Sequence, residues 1–364
     1  MDVSLGETVN RSLRNCWRGV VCASLLLLAL SAGAAPAQET RFFRIGTAAT
    51  GGSFFEIGGV IASAISSPAG SPPCGHGGNC GVPGLVAVAQ ATQGSLENIR
   101  LVASGQLESG FAQADLAGWA YGGSDLFAKE GAMPQLRTIG SLFPEALHIV
   151  VRADSPIHAI ADLKGKRLSL GGLGSGTVAN ARVLLTAAGF GEGDVIRKYL
   201  RPAQSAEEIK AGTVDAFFLG GGSPVPVLRE LAASVPIRLI PIEGAVADTL
   251  VREFDFYSLT AIPADTYPGV STATPTVGFY ALWIVSAKAD SDLVYAITKS
   301  LWNPATGRLL AGINPLGKRV RLDDALTGLS IPLHSGAERF YREAGKATDK
   351  TPQPTEKRVE GDKR

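Results

Sequence analysis

The residues best placed to do chemistry lie in RLSLGGLGSGTVANARVLLTAAG, Arg167 to Gly189, where four glycines and two hydroxyls, Ser175 and Thr177, separate an apolar strand-like run from a helix-forming one. The first amides of a helix have no intrahelical partner and carry the positive end of its dipole, so such a turn is suited to an anion. Nucleotide patterns fit poorly. Gly171 and Gly176 have the P-loop spacing, but Thr177 stands where the lysine belongs. A dinucleotide fingerprint counted from Gly172 meets Gly174 and then Thr177, and a hydrolase elbow fails because Leu173 replaces its first glycine. What remains is a small cradle whose size suits a carboxylate. A hydrolase built on Ser175 needs a base oriented by a third group. None of the four histidines stands in a recognisable catalytic motif, so the chain reads as a binding protein, not an enzyme, with no cofactor.

The same design occurs earlier. FFRIGTAATGGSFFEIGGVIASAI, Phe42 to Ile65, again reads strand, Gly/Thr/Ser turn and helix, with Phe54, Ile57, Ile61 and Ile65 at helical spacing. Each cradle is followed by a parallel segment, SLENIRLVASGQLESGFAQAD from Ser95 and SAEEIKAGTVDAFFLGGG from Ser205. In both, a serine-capped helix ends at a glycine (Gly105, Gly212). An acid comes three residues later (Glu108, Asp215) and a phenylalanine three beyond that (Phe111, Phe218). Ser205 with Glu208 reads as a capping box, and the glycines suit C-caps. Strands alternating with helices predict α/β lobes with mostly parallel sheets, and ligands bind at the carboxyl ends of such strands.

The expected organisation is a cleaved leader over 1–37, a first lobe beginning over 38–150, a second lobe over 151–255, a return to the first lobe over 256–345 and a disordered tail over 346–364. Arg11, Arg14 and Arg18 precede the apolar run Val20 to Leu30, and Ala35-Pro36-Ala37 gives an A-x-A exit with cleavage before Gln38. The apolar run is too short to span a membrane comfortably. Export to the periplasm is the consequence. Losing 1–37 removes three arginines and two acids from 34 and 33, leaving 31 of each. A neutral chain with no basic stripe argues against a nucleic-acid partner. Chain crossings between lobes are expected at Leu147 to Asp154 and near Ile240 to Tyr257, with PTVGFYALWIV, Pro275 to Val285, as a strand of the return.

Cys74 and Cys80 are the only cysteines after residue 37, in SSPAGSPPCGHGGNCGVPG. With His76 they make three metal-ligand types, but two lone cysteines in an oxidising compartment usually pair. A Cys74–Cys80 disulfide is therefore expected, with no metal site. A ring this short contributes about 2 kcal/mol on the chain-entropy model.

TGGSFF, CGVPGLVAVAQATQGSLENIRLVASG, GFAQAD, HIVVRADSPIHAIADLKGKRLSLGGLGSGT, VDAFFLGGG, PADTYPG and IPLHSGAERFYRE follow one another from Phe42 to Glu343. In that order they resemble the TAXI family, the extracytoplasmic solute receptors of TRAP transporters. The resemblance implies a monomeric two-lobed periplasmic binding protein of type II. It would close on a small carboxylate, such as glutamate or 2-oxoglutarate, and pass it to an ion-driven membrane permease. It also implies ligand-facing positions Thr50, Gly51, Gly52, Ser53, Phe54, Gln93, Gly94, Ser95, Gln113 and Asp115 in the first lobe. Ser175, Gly176, Thr177, Gly220, Gly221 and Gly222 are their counterparts in the second. Phe54-Phe55 departs from the family's usual tyrosine pair.

Each position also has an ordinary structural reading. Ser175 and Thr177 are good N-cap types, Gln113 and Asp115 suit a strand end, and one of Phe54 and Phe55 belongs to the core. Arg152 and Arg182 suit solvated surfaces, and His148 and His158 structural or exposed places. Rival functions are the receptor of an ATP-driven importer, the sensor of a membrane kinase and, less readily, an exported hydrolase.

Overall fold

Two long antiparallel strands organise the protein, and both halves of the molecule are built outward from them. A computed structural model describes residues 39–348 except 77 and 192, so the expected leader and nearly all of the expected tail lie outside the described residues. The strands are β1 (Arg41–Gly46), β2 (Ser66–Ser67), β3 (Val82–Pro83), β4 (Leu85–Gln90), β5 (Ser109–Gln113), β6 (Leu136–Arg152), β7 (Arg167–Ser169), β8 (Ile196–Lys198), β9 (Ala216–Gly221), β10 (Ile237–Leu239), β11 (Ser258–Ile262) and β12 (Thr274–Ser286). The helices are α1 (Ser53–Ile65), α2 (Ser95–Ala103), α3 (Ala114–Gly122), α4 (Gly176–Ala187), α5 (Pro202–Lys210), α6 (Pro226–Ser234), α7 (Gly244–Glu253), α8 (Ser291–Leu301), α9 (Pro304–Ile313) and α10 (Ser335–Glu343).

The main sheet runs β4-β1-β5-β12-β6-β9-β7-β8, with β10 on β6 and β11 on β12. In one half β1 is parallel to β4 and β5; in the other β7 is parallel to β8 and β9. Antiparallel β12 and β6 stand between these parallel groups. This is the two-lobed type II arrangement, a mixed sheet with flanking helices.

The strands change lobe in mid-course. Residues 136–143 of β6 pair with β12 beside β5, whereas Ala146–Val150 pair with β9. On β12, Thr274–Gly278 pair with β11, and Ala281–Val285 with β5. The crossings are therefore at Phe143–Ala146 and Gly278–Ala281, and not at Leu147–Asp154 and Ile240–Tyr257. Pro144, which has no N–H to give to a ladder, marks the first change. The apolar run after it is a buried strand paired with β9, and after α7 the chain returns to touch the first lobe, Phe254 and Phe256 against Trp119 and the Tyr257 hydroxyl on Asp115.

Both repeated segments form as parallel units, each tied by one ion pair. Arg44 on β1 meets Glu108 at 2.7 Å, and Arg167 on β7 meets Asp215 at 2.6 Å. In each case the same acid also accepts the arginine's backbone N–H. Gly105 and Gly212 end their helices at positive φ, +76° and +70°, which a side chain disfavours. Phe111 and Phe218 are buried.

The two expected serine caps are corrected. The N-cap of α2 is Gly94, and Ser95 Oγ accepts instead from Gln113 N at 3.2 Å. Helix α5 begins before Ser205, at Pro202, whose fixed φ suits a first helical position. Ser205 then bonds Ser169 Oγ at 2.8 Å, and Glu208 pairs with Lys198.

The Cys74–Cys80 disulfide is formed, with Cα atoms 4.7 Å apart. No helix among the described residues is long and apolar enough to cross a membrane.

Candidate functional site

The lobes meet around a partly open cavity of about 60 Å³. Its walls are mainly helix starts. Ala48, Ala49, Gly52, Ser53 and Phe54 lead into α1, and Gln93, Gly94 and Ser95 into α2. Ser175, Gly176 and Thr177 open α4, Pro202 opens α5, and Gln113, Glu145, Leu219 and Gly220 complete the lining. None of these lining residues is Lys or Arg. Helix starts present unpaired amides and the positive end of a dipole, a setting suited to an anion, and Arg201, 3.3 Å from Gln93 Oε1, lines the adjoining space.

Of the positions expected from the sequence, Gly52, Ser53, Phe54, Gln93, Gly94, Ser95, Gln113, Ser175, Gly176, Thr177 and Gly220 line this cavity. Thr50 is exposed at the outer rim beside Arg201, and Gly51, Gly221 and Gly222 join the lobes without lining the cavity. Asp115 is fully buried and set back from it. It accepts from Leu116 N (2.8 Å), Asn180 Nδ2 (2.7 Å) and the Tyr257 hydroxyl (2.8 Å). Burial pushes its pKa up to about 6 against the lowering effect of those bonds. Phe54 packs edge-on against Phe111 and Phe143 and is core and cavity wall at once.

The lobes are closed on each other. Ser53 Oγ donates to the Gly222 carbonyl at 3.1 Å, Val227 N to Gly51 O at 3.2 Å and Glu97 N to Gly174 O at 3.3 Å. Asn180 reaches Asp115 from the opposite lobe. The glycines of the opening motif permit this approach. A Cβ on Gly176 would stand 1.8 Å from Gln113 Oε1, and one on Gly174 would stand 2.4 Å from Gln93 Cβ.

The hydroxyls of the second cradle are largely engaged within their own lobe. Ser175 Oγ caps α4 by accepting from Val178 N at 3.3 Å and donates to Gly172 O at 2.6 Å. Thr177 Oγ1 accepts from Gly220 N at 3.1 Å, which leaves its proton to give. Helix α1 has no side-chain cap at all.

His148 holds the second lobe's facing loop. Its Nδ1 lies 3.0 Å from Ala146 O and 3.1 Å from Leu219 O, so it carries the proton. Nε2 then accepts from Ser223 and Tyr267 hydroxyls at 3.1 and 3.0 Å. Burial lowers its pKa to about 4 and keeps it neutral. Arg152 pairs with Asp154 on the surface, away from the cavity.

Two residues at the site lie outside the sequence expectations. Asn98 Nδ2 donates to the Gly46, Thr47 and Phe111 carbonyls and fixes the carboxyl ends of β1 and β5. Glu145 lies at the first crossing, 3% exposed, with its carboxyl on the cavity. Its Oε2 has no hydrogen-bond partner. Burial, then the charge of Asp115, raises its pKa well above the carboxylate range, opposed by a hydrogen bond from Gln113. A lone acid inside the apolar run SLFPEALHIVV was the available signal, because a buried carboxylate is costly unless it has a task.

Among solved structures, the alkanesulfonate-binding protein SsuA from Xanthomonas axonopodis pv. citri bound to MOPS is 18% identical, covering 85% of this chain and 86% of that one at a TM-score of 0.43. The periplasmic aliphatic sulphonate binding protein SsuA from Escherichia coli is 16% identical, with 89% and 98% covered and a TM-score of 0.43. A structure from work on glutathione import via GshT and the cystine importer of Streptococcus mutans is 12% identical, with 78% and 97% covered and a TM-score of 0.45. Likeness at this level carries no argument about the solute. The sequence pattern of the NMT1-like family, by contrast, matches residues 45–345, and the chain belongs to that family.

Proposed function

We propose that this protein is an exported, periplasmic solute-binding receptor that captures a small carboxylate between its lobes. Its partner is a TRAP-type membrane permease, and it acts without cofactor or catalysis. The observation that carries this reading is the inter-lobe cavity on which the starts of α1, α2 and α4 converge. The size of this cavity suits a compact solute and not a nucleotide or a peptide. The uncapped first turn of α1 offers amides to the carboxylate, with Ser95, Gly176 and the Thr177 hydroxyl around it. The ordered motifs from TGGSFF to IPLHSGAERFYRE support the permease type.

Capture follows from the topology. The lobes share only the crossings at Phe143–Ala146 and Gly278–Ala281 in the main sheet, so rotation there opens the cleft. Closure excludes water, which strengthens each hydrogen bond to the anion. A thermal-shift screen of small carboxylates checks the reading, with several degrees of stabilisation expected at saturation. A screen in which no small anion raises the melting temperature contradicts it. Uptake restored in vesicles by an ion gradient without ATP would fix the transporter type, and dependence on ATP would assign the receptor to an ATP-driven importer.

A further inference from the structure

The cavity is read above as the seat of an anion, and it contains an acid. Among the described residues that line it, Glu145 alone is ionisable, with no lysine or arginine beside it. Its Oε2 has no hydrogen-bond partner, and the residue is buried against the cavity. Gln113 reaches the carboxyl from the end of β5. The charged group that acts on it from α3 is a second acid, Asp115, held by Asn180 from α4 and by the Tyr257 hydroxyl. Phe279 on β12 and Leu219 on β9 carry no charge, and Ser53 and Phe54 bring none from α1. His148, further along β6, is turned to the Ser223 and Tyr267 hydroxyls. Arg201 and Glu97 stand at the rim and both bond Gln93.

A carboxylate buried without a cation is costly, and a second carboxylate nearby makes it costlier. An anionic solute in the same space adds a third negative charge. One proton shared into that cluster removes the conflict, and it turns the unpartnered Oε2 into a donor. The cover over Glu145 is assembled from both lobes, Gln113 and Phe54 from the first, Gly176 and Leu219 from the second. Rotation at the first crossing, where Glu145 itself lies, uncovers it to water, and a hydrated carboxyl is ionised at neutral pH.

We propose that closure of the lobes protonates Glu145 from the medium, and that the hydroxyl so formed donates to a carboxylate oxygen of the captured solute. Capture is then coupled to the uptake of a proton, which returns to the medium when the lobes reopen. This inference rests on the receptor reading above and adds a proton as its co-ligand. The sign is fixed by linkage. The closed form holds a proton that the open form has lost, so affinity falls as pH rises above the ordinary carboxylate range.

Titration calorimetry in phosphate, HEPES and Tris, whose ionisation heats differ, counts the protons taken up on binding. The probes are L-glutamate, 2-oxoglutarate and pyruvate, with the strongest hit of the thermal-shift screen in their place if none of them binds. At about pH 7.5 the three probes keep a fixed charge, and Asp115, pushed up to about 6, stays ionised. The wild type is expected to take up about one proton per molecule bound, and its affinity to fall about tenfold per pH unit around that pH. Glu145→Gln, whose amide does not titrate, is expected to lose both the buffer dependence and the slope, whereas Asp115→Asn keeps them. Melting curves without probe show that each variant folds. Wild-type heats that do not depend on the buffer would overturn the inference and leave the receptor reading intact. A proton count kept in Glu145→Gln, or lost in Asp115→Asn, would do the same. The infrared difference spectrum of the wild type gives a reading that needs no variant: a protonated-carboxyl band must grow on binding, and its absence overturns the inference. An empty screen sinks the receptor reading, and the proton coupling with it.

Discussion

The two glycine cradles share a sequence design and differ in what their hydroxyls do. At the start of α4, Ser175 caps its own helix and Thr177 accepts from Gly220 of its own lobe. At the start of α1, the N-cap is Gly52 with no side-chain cap, and Ser53 reaches across the cleft to the Gly222 carbonyl. One cradle is largely satisfied at home and serves as a rigid seat. The other leaves its first amides without a side-chain cap, as the proposed carboxylate seat requires, and its serine bonds across to the second lobe. A repeated motif therefore need not mean two equal half-sites. The glycines of the second cradle have their own reason, since the side chains of Gln93 and Gln113 press against Gly174 and Gly176.

The largest expected effect is at that contact. Gly176→Ala adds a methyl 1.8 Å from Gln113 Oε1, while alanine is the better helix former by about 1 kcal/mol. Solute affinity should fall about a thousandfold, roughly 4 kcal/mol, with the unliganded melting temperature no more than slightly changed. Calorimetry beside a melting curve reads both. Affinity kept within about threefold would break the distinction drawn between seat and latch.

The next effect is one of pH and concerns how each lobe holds its facing loop. His148, in the second lobe, is lowered from 6.5 to about 4 by burial. The unfolded chain takes up that proton first as pH falls through 6.5, so stability is lost down to about pH 4, amounting to about 3 kcal/mol for this group. Asp115, in the first lobe, is raised from 3.8 to about 6 and has the opposite sign, gaining stability as pH falls through 6. Compared with wild type, a His148→Gln variant should gain stability on acidification from pH 7 to 4, and Asp115→Asn should lose it. Urea unfolding across that range provides the measurement. Variant and wild-type curves that run parallel would contradict the assigned environments.

A smaller pair sharpens the comparison itself. Ser53→Ala leaves the Gly222 carbonyl without its donor in the closed form, at a cost of about 1–3 kcal/mol, so binding should weaken roughly ten- to a hundredfold. Ser175→Ala removes a cap, which costs about 1 kcal/mol of stability and leaves affinity nearly unchanged. Equal losses of affinity in both variants would restore the symmetric picture of two ligand-facing cradles.

The legible parts of the sequence were those fixed by local rules. Glycine punctuation and helical spacing placed the strand, turn and helix of both cradles, and the parallel acids Glu108 and Asp215 marked equivalent corners. The less legible parts depend on partners distant in the chain. Ser95 and Ser205 look like caps, but β5 and Ser169 claim their hydroxyls. The crossings depend on which neighbour each half of β6 and β12 finds, which apolar patterning cannot say. Glu145 went unassigned because its meaning appears only when Gln113 and the second lobe enclose it.

The central claim is that the lobes close on a small solute, and small-angle scattering with and without saturating solute tests it most directly. The ligand is the strongest hit of the thermal-shift screen. The account predicts a smaller radius of gyration for the bound form, with Gly176→Ala remaining at the unliganded value. A radius unchanged at saturation in the wild type would contradict capture by closure.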